Sequence, residues 1–140
     1  MKRRRKGFTL VEILVVIVII TMLATLIVPN IGKQFNKAKI GIAQTNIALI
    51  ETALQEFLME CSRYPTNADG GLEALYIAPS DLVDVWDGPY IDPEKMVDPW
   101  GYDFLYQYPS QQGGTKEYDV YSLGADGQSG GEGPNADIYN

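Results

Sequence analysis

Residues Lys6-Gly7-Phe8-Thr9-Leu10-Val11-Glu12-Ile13 join a basic block to the apolar stretch that decides the architecture of this chain. Before the junction, Lys2 to Lys6 are five consecutive cations. After it, Ile13 to Ile31 carry no charged side chain over nineteen residues. A helix of that length reaches roughly 28 Å, close to a bilayer hydrocarbon core of about 30 Å. The basic block predicts that the amino end stays cytoplasmic while the rest is translocated. Lys33, Lys37 and Lys39 beyond the stretch weaken this asymmetry without reversing it. A cleaved secretory signal would have a shorter apolar region followed by a small-x-small site. Val28-Pro29-Asn30-Ile31-Gly32-Lys33 contains no such site, so the segment is expected to remain. Glu12 stands out, because it lies five residues into the apolar stretch that starts at Phe8. A carboxylate near a bilayer centre costs about 2.5–3.5 kcal/mol, and less near the interface. Glu12 therefore either reaches back to the headgroups or has a dedicated positive partner.

The length of 140 residues fits one small α+β domain plus an appendage. The net charge of −7 conceals a split: from Ile40 onward there are seventeen acidic residues against Arg63, Lys95 and Lys116. Phosphate binding needs clustered Lys and Arg, so a nucleic-acid partner is not expected. A dense acidic domain suits a hard cation or a basic protein surface. There is no histidine, which removes His-based triads, His general bases and most zinc sites. Cys61 is the single cysteine, so no intrachain disulfide can form, and it reads as a small buried hydrophobe.

The junction resembles the type III signal shared by type IV pilins and pseudopilins: a short basic leader, Gly7, then Phe8-Thr9-Leu10-Val11-Glu12 and an apolar helix. The resemblance implies that a prepilin peptidase cuts between Gly7 and Phe8, removing residues 1–7, and then methylates the new amino terminus of Phe8. A glycine before the cut lets the backbone approach a buried catalytic site. The resemblance also supplies a partner for Glu12, the Phe8 amine of a neighbouring subunit. Burying either charge alone is costly, so that pairing would fix the register between subunits. Residues 8–31 are then the transmembrane and assembly helix, with a kink or local melting expected near Pro29. Residues 32–140 form the periplasmic domain, including the amphipathic half of the helix.

In that half, Ile40, Ala43, Ile47, Ile50, Leu54, Phe57 and Cys61 recur at spacings of three and four and predict one apolar stripe. Packing against this chain's own sheet is favoured over a coiled coil with a partner. Arg63-Tyr64-Pro65 ends the helix. Asn67 or Asp69 is expected to cap a short helix before Pro79. Residues 80–103 read as loops with a short strand near Tyr90-Ile91, and Asp98-Pro99-Trp100-Gly101 as a turn with Trp100 buried. Residues 104–108 and 118–122 alternate and are aromatic, as strands should be, with Gly113-Gly114 in the loop between them. Ser62-Arg63-Tyr64-Pro65-Thr66, Gly71-Leu72-Glu73-Ala74-Leu75 and Asp98-Pro99-Trp100-Gly101 are similar to segments of the G class of pseudopilins. The fold expected is α+β and pilin-like: a long amino-terminal helix packed on a small antiparallel sheet, with a calcium loop at the carboxy end.

That loop runs from Leu123 to Asp137. Ca²⁺ takes six to eight oxygens from carboxylates and carbonyls, and glycines let a chain curl around it. Asp126, Glu132, Asn135 and Asp137 offer side-chain oxygens, and Leu123 and Gln128 offer carbonyls. The spacing is not that of an EF-hand. Spacing alone equally allows a flexible acidic tail; it is the likeness to the G-class calcium loop that implies a structural ion. Ala136 stands where some relatives have a second acid, and the loop is longer, which leaves the ligand set open.

The implied function is assembly. Subunits would leave the inner membrane, where lipid surrounds the helix, and polymerise as a helical homopolymer into a periplasmic pseudopilus of a type II secretion system. Minor pseudopilins and an inner-membrane assembly platform would be the other partners. A type IV pilin or a minor pseudopilin is the alternative. A membrane-anchored enzyme is disfavoured because no nucleophile–base pair stands out. An anchored binding module is disfavoured because aromatic residues in alternating strands are more often core.

Overall fold

The structure is a computed structural model describing residues 7–113 and 115–140, with the side chains of residues 26–31 outside the described set. The basic block Lys2–Lys6 and the kink expected near Pro29 therefore lie outside the described residues. The chain divides into two compact units, Met1–Asn36 and Lys37–Asn140.

The first helix, α1, is assigned over Leu10–Cys61. In the amino-terminal unit every described residue up to Thr25 is exposed, including Phe8, Leu10 and Leu23. Among the described residues no helix is long and apolar enough to cross a membrane.

The second unit is built on the predicted stripe. Ala43, Ile47, Ile50, Leu54, Phe57 and Cys61 are all buried, and Ile40 packs partly against them. Ala53 and Asn46 join the same face. Their partners are Leu75, Phe104, Tyr118, Val120 and Ile138. Burying one Leu or Phe contributes about 1.5–3 kcal/mol, so this stripe is the main source of the unit's stability. α1 ends at Cys61, and Ser62 follows with φ of 57°. The short turn Asn67–Asp69 is capped by Thr66 in a reciprocal box with Asp69, whose side chain accepts from the Thr66 N–H at 2.7 Å. The cap of this turn is thus Thr66, where Asn67 or Asp69 was expected.

The sheet has three antiparallel strands in the order β1 (Leu105–Gln107), β2 (Asp119–Ser122) and β3 (Ile138–Tyr139). Leu105 pairs with Tyr121, and Tyr121 pairs with Tyr139, whose rings stack at 4.8 Å. The first two strands lie inside the predicted segments. The strand expected near Tyr90-Ile91 is absent, and that segment is loop. Its backbone bonds to a turn rather than to a sheet, since the Tyr90 N–H donates to the Leu75 carbonyl at 2.8 Å. The Tyr90 ring meets Phe57 edge-on at 5.8 Å, so the segment is held by side-chain packing and not by a ladder. Beyond β3, Asn140 continues the register with β2: the Asn140 N–H donates to the Val120 carbonyl, and the Val120 N–H donates to Asn140 Oδ1. Asn140 Nδ2 also donates to Glu51 on α1, which accepts Lys116 as well.

Candidate functional site

The amino-terminal motif enters α1 through a capping box. The Thr9 N–H donates to Glu12 Oε2 at 3.3 Å, and the Glu12 N–H donates to Thr9 Oγ1 at 3.2 Å. Free N–H groups at a helix start need acceptors, and this reciprocal pair supplies two. The T-x-x-E spacing was present in the sequence and signals this geometry. Phe8 is 80% exposed, and a Cβ added at Gly7 would meet nothing within 4 Å. Both residues of the Gly7–Phe8 bond are exposed, and so is Glu12.

At the other end, the loop between β2 and β3 is anchored by Asp98. This carboxylate is buried and accepts from the Trp100 and Tyr102 N–H groups, each at 2.9 Å, and from Ser122 Oγ. Ser122 Oγ in turn accepts from the Gly124 N–H at 3.1 Å. The Asp98-Pro99-Trp100-Gly101 turn forms as expected, closed by the Gly101 N–H on the Asp98 carbonyl. Trp100 is half-buried, with the Lys39 ammonium 6.0 Å from its ring.

From there the loop folds onto itself. Gly124 has φ of 71°, and a Cβ there would lie 2.8 Å from the Ala136 carbonyl oxygen and 2.9 Å from that of Pro134. Only glycine fits such a close approach. Asp137 Oδ2 accepts from the Gly130 N–H at 3.0 Å, while Asp137 Oδ1 is buried with no hydrogen-bond partner. Asp126 is exposed and accepts from the Gln128 N–H at 3.1 Å. Glu132, Gln128 and Asn135 are exposed, and Leu123 is half-buried at the start of the Gly124–Asp126 turn. Among the described residues no three metal-ligating His, Cys, Asp or Glu side chains converge. Asp126, Glu132 and Asp137 thus form no carboxylate cluster. The chemistry that fits a hard cation is narrower: one buried, unpartnered carboxylate oxygen, Asp137 Oδ1.

Asp98 and Asp119 went unrecognised as organisers in the sequence. Asp119 is buried and accepts from Ser110 Oγ and from the N–H groups of Gln111 and Gln112. A third acid, Asp69, binds Arg63 through both guanidinium nitrogens, and Arg63 also reaches Asp81. The Arg63 contact holds the Asp69 carboxyl well below the usual range, aided by the Thr66 donors. These aspartates are structural, each finishing a turn.

The profile of type II secretion system protein G matches residues 30–140, and that of the prokaryotic N-terminal methylation motif matches residues 2–28. The chain is 44% identical to type II secretion system core protein G of Vibrio cholerae serotype O1, over 100% of this chain and 95% of the relative. It is 38% identical to the core protein G of Pseudomonas aeruginosa, over 99% of this chain and 96% of the relative. Its fold is similar to the crystal structure of the major pseudopilin from the type 2 secretion system of enterohaemorrhagic Escherichia coli. The TM-score is 0.61 at 30% identity, covering 80% of this chain and 94% of that one. An exposed Gly7–Phe8 junction inside a methylation motif, a long helix on a three-stranded sheet, and likeness along its whole length place this chain in the type II secretion system protein G family, that of the major pseudopilin.

Proposed function

We propose that this chain is the structural subunit of a type II secretion pseudopilus, made as a precursor in the bacterial inner membrane and assembled in the periplasm. The observation that carries the reading is the pairing of a protein G profile over residues 30–140 with a methylation motif over residues 2–28. Cleavage after Gly7 and N-methylation of Phe8 by a prepilin peptidase give the mature chain. The uncharged run Ile13–Ile31 supports a single membrane crossing before assembly, surrounded by lipid. The exposed apolar surface of α1 up to Leu23 then needs either lipid or other subunits to cover it.

Glu12 serves assembly. In one chain it caps its own helix; in the filament it accepts the charged Phe8 amine of a neighbour, a pairing that rewards one register and penalises others. Minor pseudopilins and the inner-membrane platform are the other partners, and the work of assembly is done on this subunit, not by it. Calcium is the structural ion of the carboxy-terminal loop. Asp137 is its anchor, because Oδ1 is buried without a partner. Asp126, Glu132, Asn135 and the carbonyls of Leu123 and Gln128 are the remaining candidate ligands. The ion would tie β3 to the start of the loop.

The test is deletion and complementation in the host. Loss of this chain should stop export of folded proteins across the outer membrane, and the intact chain should restore it. Normal export without it overturns the reading.

A further inference from the structure

Asp98 is a buried acid whose bonds reach past its own turn. It is 4% exposed, and Ser122, to which it is bonded, is fully buried. The two carboxylate oxygens divide their partners. Oδ1 accepts the Trp100 and Tyr102 N–H groups and finishes the turn. Oδ2 accepts from Ser122 Oγ, which lies 24 residues further along the chain. A hydroxyl has one hydrogen and two lone pairs. With its hydrogen committed to Asp98, Ser122 Oγ serves the following loop only as an acceptor, and the Gly124 N–H donates to it at 3.1 Å.

The Gly124 N–H and the Leu123 carbonyl belong to one planar peptide unit, so fixing the first fixes the direction of the second. Gly124 is packed against the 134–136 backbone, which leads directly into Asp137. The turn that starts here, Gly124–Asp126, ends at Gly127 with φ of 64°. A Cβ at Gly127 would lie 2.8 Å from the Tyr102 ring, and Tyr102 is itself held through its N–H by Asp98. One buried carboxylate thus governs both ends of the turn that follows Leu123, carries Asp126 and leads into Gln128. Finishing the 98–101 turn needs only Oδ1, which leaves the Ser122 bond without a purpose in that turn.

We propose that Asp98, acting through Ser122, is a positioning residue for the calcium site, setting the Leu123–Gly124 peptide and so the carbonyl that Leu123 offers to the ion. The proposal rests on the calcium reading of the loop. Neither Asp98 nor Ser122 is a ligand. Groups bonded behind metal ligands hold them in orientation, and their loss ordinarily weakens binding about 10–100-fold.

The experiment titrates calcium into the full chain in detergent, first stripped of metal by chelator, with the fold of each variant checked by circular dichroism. Ser122→Ala removes the acceptor of the Gly124 N–H and should raise the dissociation constant about tenfold or more. Asp98→Asn keeps an oxygen for the Trp100 and Tyr102 N–H groups but sets a donor against Ser122, and should raise it as well. The double variant should bind within about twofold of Ser122→Ala alone, because Asp98 acts through Ser122. Val120→Ala, a core change in the same strand, should lower the unfolding temperature and leave calcium affinity unchanged. Dissociation constants within about twofold of the parent for both single variants overturn the proposal, as do fully additive losses in the double variant. An equal loss in Val120→Ala also overturns it, assigning the effect to general destabilisation. Should Ser122→Ala not fold, Asp98→Asn against Val120→Ala decides. Absence of calcium binding by the parent chain overturns the calcium reading and the proposal together, whereas parent binding untouched by the variants overturns the proposal alone.

Discussion

Thr9 and Glu12 cap one another at the start of α1, each side chain accepting the other's backbone N–H. Glu12 thus has a local task in a single chain besides the intersubunit one proposed for it, and two substitutions separate them. Thr9→Ala removes one half of the box, costing about 1 kcal/mol at the helix start, and keeps the carboxylate. Filaments should still form, at reduced yield. Glu12→Ala removes the charge and should abolish filaments while leaving cleavage and methylation intact, read as the mature mass calculated for the variant. Equal losses from the two variants would show that capping, and not pairing with Phe8, is what assembly requires.

Processing should depend on Gly7 rather than on the helix behind it. Gly7 is exposed and unpacked, so Gly7→Leu has no reason to disturb the fold. It should accumulate an uncut precursor, read by intact mass. A normal mature chain bearing an N-methylated Phe8 would show that processing does not depend on Gly7.

Asp137 should dominate the response to calcium. A ligand that binds only the folded state raises stability by roughly 2.7 kcal/mol at a hundredfold excess over its dissociation constant. Thermal unfolding of the full chain in detergent should shift upward with calcium and return with chelator. Asp137→Ala should abolish the shift, and Glu132→Ala, an exposed position, should reduce it less. An unchanged midpoint in a chain first stripped of metal would argue that the loop closes through its glycines alone.

The Arg63–Asp69 pair predicts an acid-sensitive window. Its direct contact lowers the folded-state pKa of Asp69, while the unfolded carboxyl titrates near 3.9. The contribution is therefore full above that unfolded value and is lost as pH falls through the depressed folded one. Asp69→Asn should destabilise the fold at neutral pH by about 1–3 kcal/mol, towards the lower end because Arg63 is partly exposed to water. The gap between parent and variant, read by denaturant unfolding, should narrow as the pH is brought below about 4. A gap independent of pH would assign the loss to packing.

The core stripe of α1 was legible because burial follows helical period, and each of its positions from Ala43 to Cys61 is buried. Strands β1 and β2 were legible from aromatic alternation. The short strand expected at Tyr90-Ile91 did not form, because the Tyr90 ring is half-buried by packing on Phe57 without a ladder. β3 is two residues long, too short for any periodicity to register. At the candidate sites, residue types picked out segments, but which oxygen is free could not be read. Asp126 and Asp137 look alike in sequence, and only folding exposes one and buries an oxygen of the other. Asp98 and Asp119 were hidden for a related reason, since their bonds join residues distant in the chain or in a turn of undefined course.

Glu51 receives both Lys116, from the loop ahead of β2, and Asn140, the last residue, which is itself hydrogen-bonded to the β2 backbone. The sheet is therefore welded to the shaft at its terminal edge as well as through the apolar stripe. A tensile load along α1 must break these bonds together, in shear, rather than peel strands away one by one. Asn140 then acts as a rivet, and resistance to such a load should depend on one side chain that bridges the sheet to the helix.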